Sequence, residues 1–272
     1  MGKDEFSGFR DFLHRSFRTL RREGPDRLLL CGMRYMSWKL QLHERVAGLP
    51  KPVARVVTAV IMSSFKFIIY LFRRLWPDKY TDADPYKRLH VDPASIDYTS
   101  GAARRRGWVV DGRWDQNGGT FMKRTVPRAI EEHYVEGLSW DETALADKYE
   151  GAELEKRASE IEQLSYHIRE EGYKSQRQLL EEDPNVAWNG LNDAMHPLAN
   201  EISVDIGRNG EILWNMCGQH RLALAKVLGI DEICVQVFRR HSGWQTIRDS
   251  VRDCNEIQNE YHNHPDLQDL TK

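Results

Sequence analysis

The stretch NMCGQHRLALAKVLGIDEICVQV, residues 215–237, limits what this chain can fold into more than any other. Leu222, Ala225, Leu228 and Gly229 recur at three- and four-residue spacing, the period of a helix, and Gly229 reads as its C-terminal cap. After Asp231 the period changes to two, with Ile233, Val235 and Val237 alternating as in a half-buried strand. Upstream, Ile202, Val204 and Ile206 alternate in the same way, RNG makes a tight turn, and Ile212 to Trp214 resumes extended chain. The order strand, turn, strand, GQHR, helix, strand predicts an α/β (α+β) domain with a mixed sheet. Such a strand-to-helix junction leaves backbone N–H groups free at the positive end of a helix dipole. With Gly218 permitting close approach and Arg221 carrying a guanidinium, Gly218, Gln219, His220 and Arg221 become candidate phosphate ligands. The same spacing also suits a solvated or capping arginine.

At 272 residues the chain holds one substantial core with appendages, or two small domains. Hydrophobic residues at 40% and charged residues at 29% point to a mostly globular chain. Cys31, Cys217, Cys234 and Cys254 form no CxxC pair, which argues for a reducing compartment and against a structural zinc site. The charged opening MGKDEFSGFRDFLHRSF does not resemble a secretory signal, and its sixth residue does not suit myristoylation. The net charge of −2 hides an asymmetry: residues 1–90 carry 18 Lys/Arg against 9 Asp/Glu, and the remainder 21 against 32. A basic first part favours nucleic acid or anionic lipid, whereas the acidic remainder repels both.

Residues 5–48 read as arginine-rich helical segments broken at EGP and GLPKP. Next comes the most apolar segment, VARVVTAVIMSSFKFIIYLFRRLWP. At about 100° per residue Arg55, Lys66 and Arg73 fall on one narrow stripe, with Val57, Ile61, Phe65, Ile68 and Phe72 opposite. The expectation for 53–76 is an amphipathic helix that either packs on the protein's own core or lies in a membrane plane with Arg73, Arg74 and Trp76 near headgroups. A full span is argued against by length and by Lys66. PDKYTDADPY, 77–86, has the composition of a linker and marks a domain boundary. KRLHVDPASIDY reads as a short strand and turn, followed by an irregular Gly-, Arg- and Trp-rich segment. Helices are predicted at 125–137, 139–149 and 151–171, the second opened by a Ser139–Glu142 capping box and the third ended by Gly172. After residue 245 a C-terminal helix and tail remain.

The strand with VDPASI, the helix ending IREEGYKSQ, the strand pair around RNG and the run GQHRLALAKVLGIDEICVQV together resemble the ParB/sulfiredoxin superfamily. The likeness covers residues 87–240 with an insertion near 100–150; Gly218 and Arg221 match the family's Gly-x-x-Arg box. The G-x-H-R form, with His220, is closer to sulfiredoxins and the related free-serine kinases than to the GERR form of ParB proteins, and the chain also looks like an uncharacterised subgroup with a G-x-W-D element, here Gly112 to Asp115, and an R-H-x-x-W-Q element, here Arg240, His241, Trp244 and Gln245. The resemblance implies a nucleotide-binding domain at 85–245 with a pocket for the phosphates of ATP, ADP or CTP; the charge and helical pattern before it make 1–80 a basic helical module. The family's outcomes are sulfinic acid reduction, phosphoryl transfer and nucleotide-gated DNA clamping.

Departures from the family pattern narrow these. Sulfiredoxins place the catalytic Cys just before the box His, where this chain has Gln219, and Cys217 lies too early. Only about 30 residues follow Val237, room for one helix rather than a trihelical DNA reader. Phosphotransfer or nucleotide hydrolysis survives by elimination and needs a base, a cradle and usually Mg2+. Asp111, Asp115 and His220 are the candidate catalytic residues, with Asp97 a further acid and no metal ligands assigned. Arg240 and His241 are candidates to grip a second anionic group, or else to pack a strand end. The run Arg104 to Arg106 reads as a solvated face, or a contact for phosphate or acidic lipid. The expectation is a cytoplasmic, nucleotide-binding protein at or near an anionic membrane; the alternatives are a non-enzymatic nucleotide-responsive module for DNA or a partner, and a scaffold that has lost the activity.

Overall fold

The computed structural model describes residues 17–21, 25–101, 106–189, 196–254 and 261–270. The fold is mixed α+β. The helices are α1 (Pro25–Lys39), α2 (Leu42–Ala47), α3 (Lys51–Leu75), α4 (Thr125–Tyr134), α5 (Gly151–Glu171), α6 (Gln176–Glu182), α7 (Pro184–Asn189), α8 (Gln219–Val227) and α9 (Ser242–Cys254). The strands are β1 (Arg88–Val91), β2 (Trp108–Val110), β3 (Ile202–Ile206), β4 (Ile212–Trp214) and β5 (Ile233–His241). β5 is central. Its first half pairs antiparallel with β1, its last three residues pair parallel with β2, and β3 runs parallel along its other edge and carries β4 antiparallel.

Residues 202–237 form the elements that their periodicity predicts. Gly210 takes a φ of 89° in the turn between β3 and β4, and Gly229 a φ of 65° just past α8. Ile202, Val204, Ile206, Val235 and Val237 pack with Leu222–Ala225 of α8, Val126, Ala129 and Ile130 of α4, and Ile161 and Ile168 of α5. The supposed insertion at 100–150 therefore supplies part of the main core.

Three expectations are corrected. First, 139–149 is not a helix: the capping box between Ser139 and Glu142 is present, yet it opens only a short 3-10 turn. The Glu132 carboxylate of α4 takes the Ala144 N–H at 2.6 Å and so holds this segment in a non-helical course. Second, 77–86 is no free linker. Tyr80, Thr81, Ala83 and Tyr86 are buried, Tyr80 and Tyr86 against Phe65, Ile69 and Phe72 of α3. Third, β3 and β5 are not half-buried. Ser203, Asp205 and Gln236, on the face away from α8, are as inaccessible as their apolar neighbours: the 216–217 loop lies on Ser203, Ser100, Asn215 and Arg239 enclose Asp205, and Arg106 lies on Gln236.

The chain end closes the fold through charge. The fully buried Asp266 carboxylate accepts from Arg240 Nε at 2.8 Å and from Arg240 Nη2, from the Trp244 indole at 3.0 Å, and faces Lys87 Nζ at 3.2 Å. Arg248 of α9 bonds Asp82 and Asp269 at 2.6–3.0 Å, linking the 77–86 segment to the C-terminal turn. Burial alone would raise the Asp266 carboxyl, but Arg240, Lys87 and Arg248 hold it well below its ordinary range.

Removing one partner of a buried ion pair leaves the other charge stranded. Asp266→Ala is therefore expected to lower unfolding free energy by about 3–5 kcal/mol in urea titration. Asp82, raised by burial but brought down to about 2 by Arg248, gives a second expectation. Its contribution is present above its unfolded pKa of 3.8 and is lost as pH falls through about 2. Melting temperature should drop between pH 4 and pH 2, and less steeply in Asp82→Asn.

Candidate functional site

The box lies where β4 turns into α8. Ser203 of β3 accepts the N–H groups of Met216 at 3.1 Å and Cys217 at 2.8 Å, which folds the loop over the start of the strand. Gly218 then takes a left-handed φ of 76° and opens α8 with no side-chain cap. A Cβ there would stand 2.6 Å from Ile202 Cγ1 and 2.8 Å from its Cα. The glycine is thus required twice, by conformation and by contact. His220 at the first turn is accessible. Its crowded setting, by desolvation and then by the charges of Arg157, Arg221 and Lys148, lowers its pKa against the opposing charge of Glu160.

Arg221 does not face an open cradle. Its Nη1 lies 3.3 Å from Glu201 Oε1, and Nη2 donates to the Asn200 carbonyl. Glu201 is buried, and its other oxygen takes the Gln176 N–H at 2.8 Å. The expected phosphate clamp is a brace that ties α8 to the entry of β3.

Another guanidinium lies beside this loop without such compensation. Arg106 is 8% exposed; Nε donates to Gln236 Oε1 at 2.8 Å and Nη2 to the Ala199 carbonyl at 2.9 Å. It stacks on Phe238 at 4.1 Å and approaches the Tyr86 ring at 5.4 Å. Among the described residues no carboxylate pairs with it. Gln236 is the register partner of Ser203, whose hydroxyl carries the box loop, so Arg106 and Cys217 are held by neighbouring positions of β5 and β3. Two donor or acceptor atoms of the same cluster, Gln236 Nε2 and His196 Nδ1, are buried with no partner. Burial and the Arg106 charge push the His196 imidazole down to about 3, and burial raises Tyr86 to about 12. The cluster thus holds one net positive charge and neutral neighbours. Sequence reading placed Arg106 in a solvated run; Arg104 and Arg105 lie outside the described residues.

The other candidates stand at the opposite end of the sheet. Gly218 touches the first residue of β3, whereas Arg208, in the turn just past its end, binds Asp115; the five residues of β3 span about 13 Å between them. Asp115 takes Arg208 Nε and Nη2, each at 2.8 Å, and the Arg208 N–H at 3.0 Å, and these bonds hold it at about 2. Asp111 is exposed and accepts from Ser242 at 3.0 Å. His241 uses both ring nitrogens: Nδ1 accepts the Gly243 N–H at 3.0 Å and Nε2 faces the Gly112 carbonyl at 2.8 Å. Arg240 is committed to Asp266. Asp111, Asp115, Arg240 and His241 are therefore not in one site with Gly218–Arg221, and the R-H-x-x-W-Q residues staple the fold: Gln245 too bonds an acid, Asp82, at 2.9 Å. Asp97 sits at the far end of α8, where Lys226 reaches it at 3.3 Å.

Among the described residues no group of three His, Cys, Asp or Glu side chains is arranged to hold a metal ion. Compared with known protein families, with curated proteins and with solved structures, the chain finds no match.

Gly218→Ala must move Ile202 or strain the backbone, so a loss of about 1–3 kcal/mol in unfolding free energy is expected, measured by denaturant titration.

Proposed function

We propose that the β4–α8 junction with Arg106 is a phosphate-binding site, and that the protein is a nucleotide-binding module of the ParB/sulfiredoxin kind. The observation that carries this reading is the buried Arg106 guanidinium without a carboxylate, next to a helix start whose amides have no side-chain cap. A buried charge is costly unless paired, and an anion at the box would pair it. The amides of Gln219, His220 and Arg221, Arg106, and His220 with Lys148 and Arg157 at the rim, suit the phosphates of ATP, ADP or CTP. Any Mg2+ would then be held by the nucleotide's own phosphates and water rather than by a protein cage.

Ligand binding is favoured over phosphotransfer. The acids expected to serve as base or metal ligand, Asp111 and Asp115, stand past the end of β3 that is away from the box, and Asp115 is saturated by Arg208. A nucleotide-responsive module that changes its contacts with DNA or a protein accounts for the same residues without a catalytic acid.

Titration with ATP, ADP and CTP, read by melting temperature and by calorimetry, tests the reading. At a ligand concentration 100 times Kd the parent should gain about 2.7 kcal/mol. Arg106→Met removes an unpaired buried charge at similar volume, so the variant should keep its stability yet lose at least tenfold in affinity. A parent that binds none of the three nucleotides overturns the proposal. Arg106→Met that loses stability but binds as before makes Arg106 purely structural.

A further inference from the structure

Helix α3 is apolar on two sides. Ala54, Thr58, Phe65, Ile69 and Phe72 turn inward, onto Trp188 and Val46 at one end and onto Tyr80 and Tyr86 at the other. The basic stripe does not reach outward as expected from the sequence: Arg55 donates to the Glu181 carbonyl, Lys66 to Asp84 and Arg73 to the Asp82 carbonyl, each at 2.7 Å. What remains is a second apolar stripe on the side away from the core. Val56 is 64% exposed, Val60 61%, Phe67 69% and Leu75 56%, with Val53 and Leu71 each near 45%. At about 100° per residue Val53, Val56, Val60, Phe67 and Leu71 all fall within about 60° of one another, with Leu75 about 40° beyond. They extend over about 33 Å of helix from Val53 to Leu75. Soluble surfaces rarely leave so long an apolar strip open to water.

We propose that this outward face of α3 is a membrane-docking surface that lies in the plane of an anionic bilayer. Charge selects the occupant. The helix carries Lys51, Arg55, Lys66, Arg73 and Arg74 and no acid. Residues 17–21 and 25–80 hold 12 Lys/Arg against 3 Asp/Glu. A second copy seated on the same face would oppose two modules of the same strong positive charge, whereas anionic headgroups complement it. Arg74 is exposed on the flank of the stripe, where its stem covers apolar surface and its head reaches the phosphate layer. The helix lies on the bilayer and does not cross it. Its inner side is occupied by Phe65, Phe72 and the Thr58–Trp188 hydrogen bond at 2.7 Å, all of which a span would have to break. Docked this way, the sheet and its box stand on the water side of the module.

The test is co-sedimentation of the full chain with phosphatidylcholine vesicles and with vesicles containing one third phosphatidylglycerol. The parent should bind the anionic vesicles, more weakly at high salt, and the neutral ones at least tenfold less. Val60→Glu/Phe67→Glu puts two negative charges on the exposed stripe without touching the core. It should lower partitioning at least tenfold while circular dichroism and melting temperature stay unchanged. Should that variant unfold, Phe67→Ser with the fold intact gives the same reading through a smaller loss. The proposal is overturned if the parent ignores anionic vesicles, if folded variants bind as the parent does, or if sedimentation shows a parent dimer that the variant dissolves without any vesicle binding. None of these outcomes depends on nucleotide, so the box and the α3 face succeed or fail separately.

Discussion

The structure rests on the burial of a polar sheet face. One side of β3 and β5 is aliphatic and packs on α8. The other presents Ser203, Asp205, Cys234 and Gln236 to a layer from which water is excluded. Polar groups in such a layer must be paired or they destabilise the fold. Asp205 meets this demand with Ser100 and Arg239, each at 2.6 Å, and Asn215 at 2.9 Å. Glu201 meets it with Arg221, and at the strand end Arg240 meets it with Asp266. These pairs hold Ser100, the start of α8 and the chain end against the sheet, because they draw their partners from separate segments.

Against that background Arg106 stands out. Its titratable neighbours His196 and Tyr86 are neutral at physiological pH, since burial and the Arg106 charge lower the imidazole pKa and burial raises that of the phenol. An unpaired guanidinium among neutral groups is poor for stability, and a fold that retains one commonly does so for a ligand. That charge is held by Gln236, the strand neighbour of Ser203 whose hydroxyl carries the loop that opens α8, and so sits near a helix start of the kind suited to anions. The proposed phosphate site and the proposed membrane face use different parts of the chain. The first lies on the sheet; the second lies on the side of α3 that the sheet leaves free.

Local pattern made much of the fold legible. The period of two in 202–206 and 233–237, the period of 3.6 in 219–228, and the positions of Gly210, Gly229 and Gly172 follow from backbone and side-chain geometry that acts over a few residues. Segment 139–149 escaped because its capping box is a local signal, while the bond that decides its course comes from Glu132 on a different helix. The candidate site was legible only in its backbone. Gly218 is where the junction requires a left-handed residue, but Arg221 is braced by Glu201 and Arg106, expected in a solvated run, is buried on Gln236.

By itself the sequence determined the order and type of the elements around the box, the apolar core of α8, and a helix at 51–75 that is basic and greasy at once. The tertiary structure alone decided which arginine is free and which is paired. Arg221 meets Glu201 across 20 positions, Arg106 meets Gln236 across 130, and Arg248 meets Asp82 across 166. It also decided which apolar side of α3 turns inward, since both sides satisfy a helical period and only packing against Tyr80, Tyr86 and Trp188 distinguishes them. A side chain's charge is a local property. Whether that charge is compensated depends on what the fold brings within about 4 Å of it.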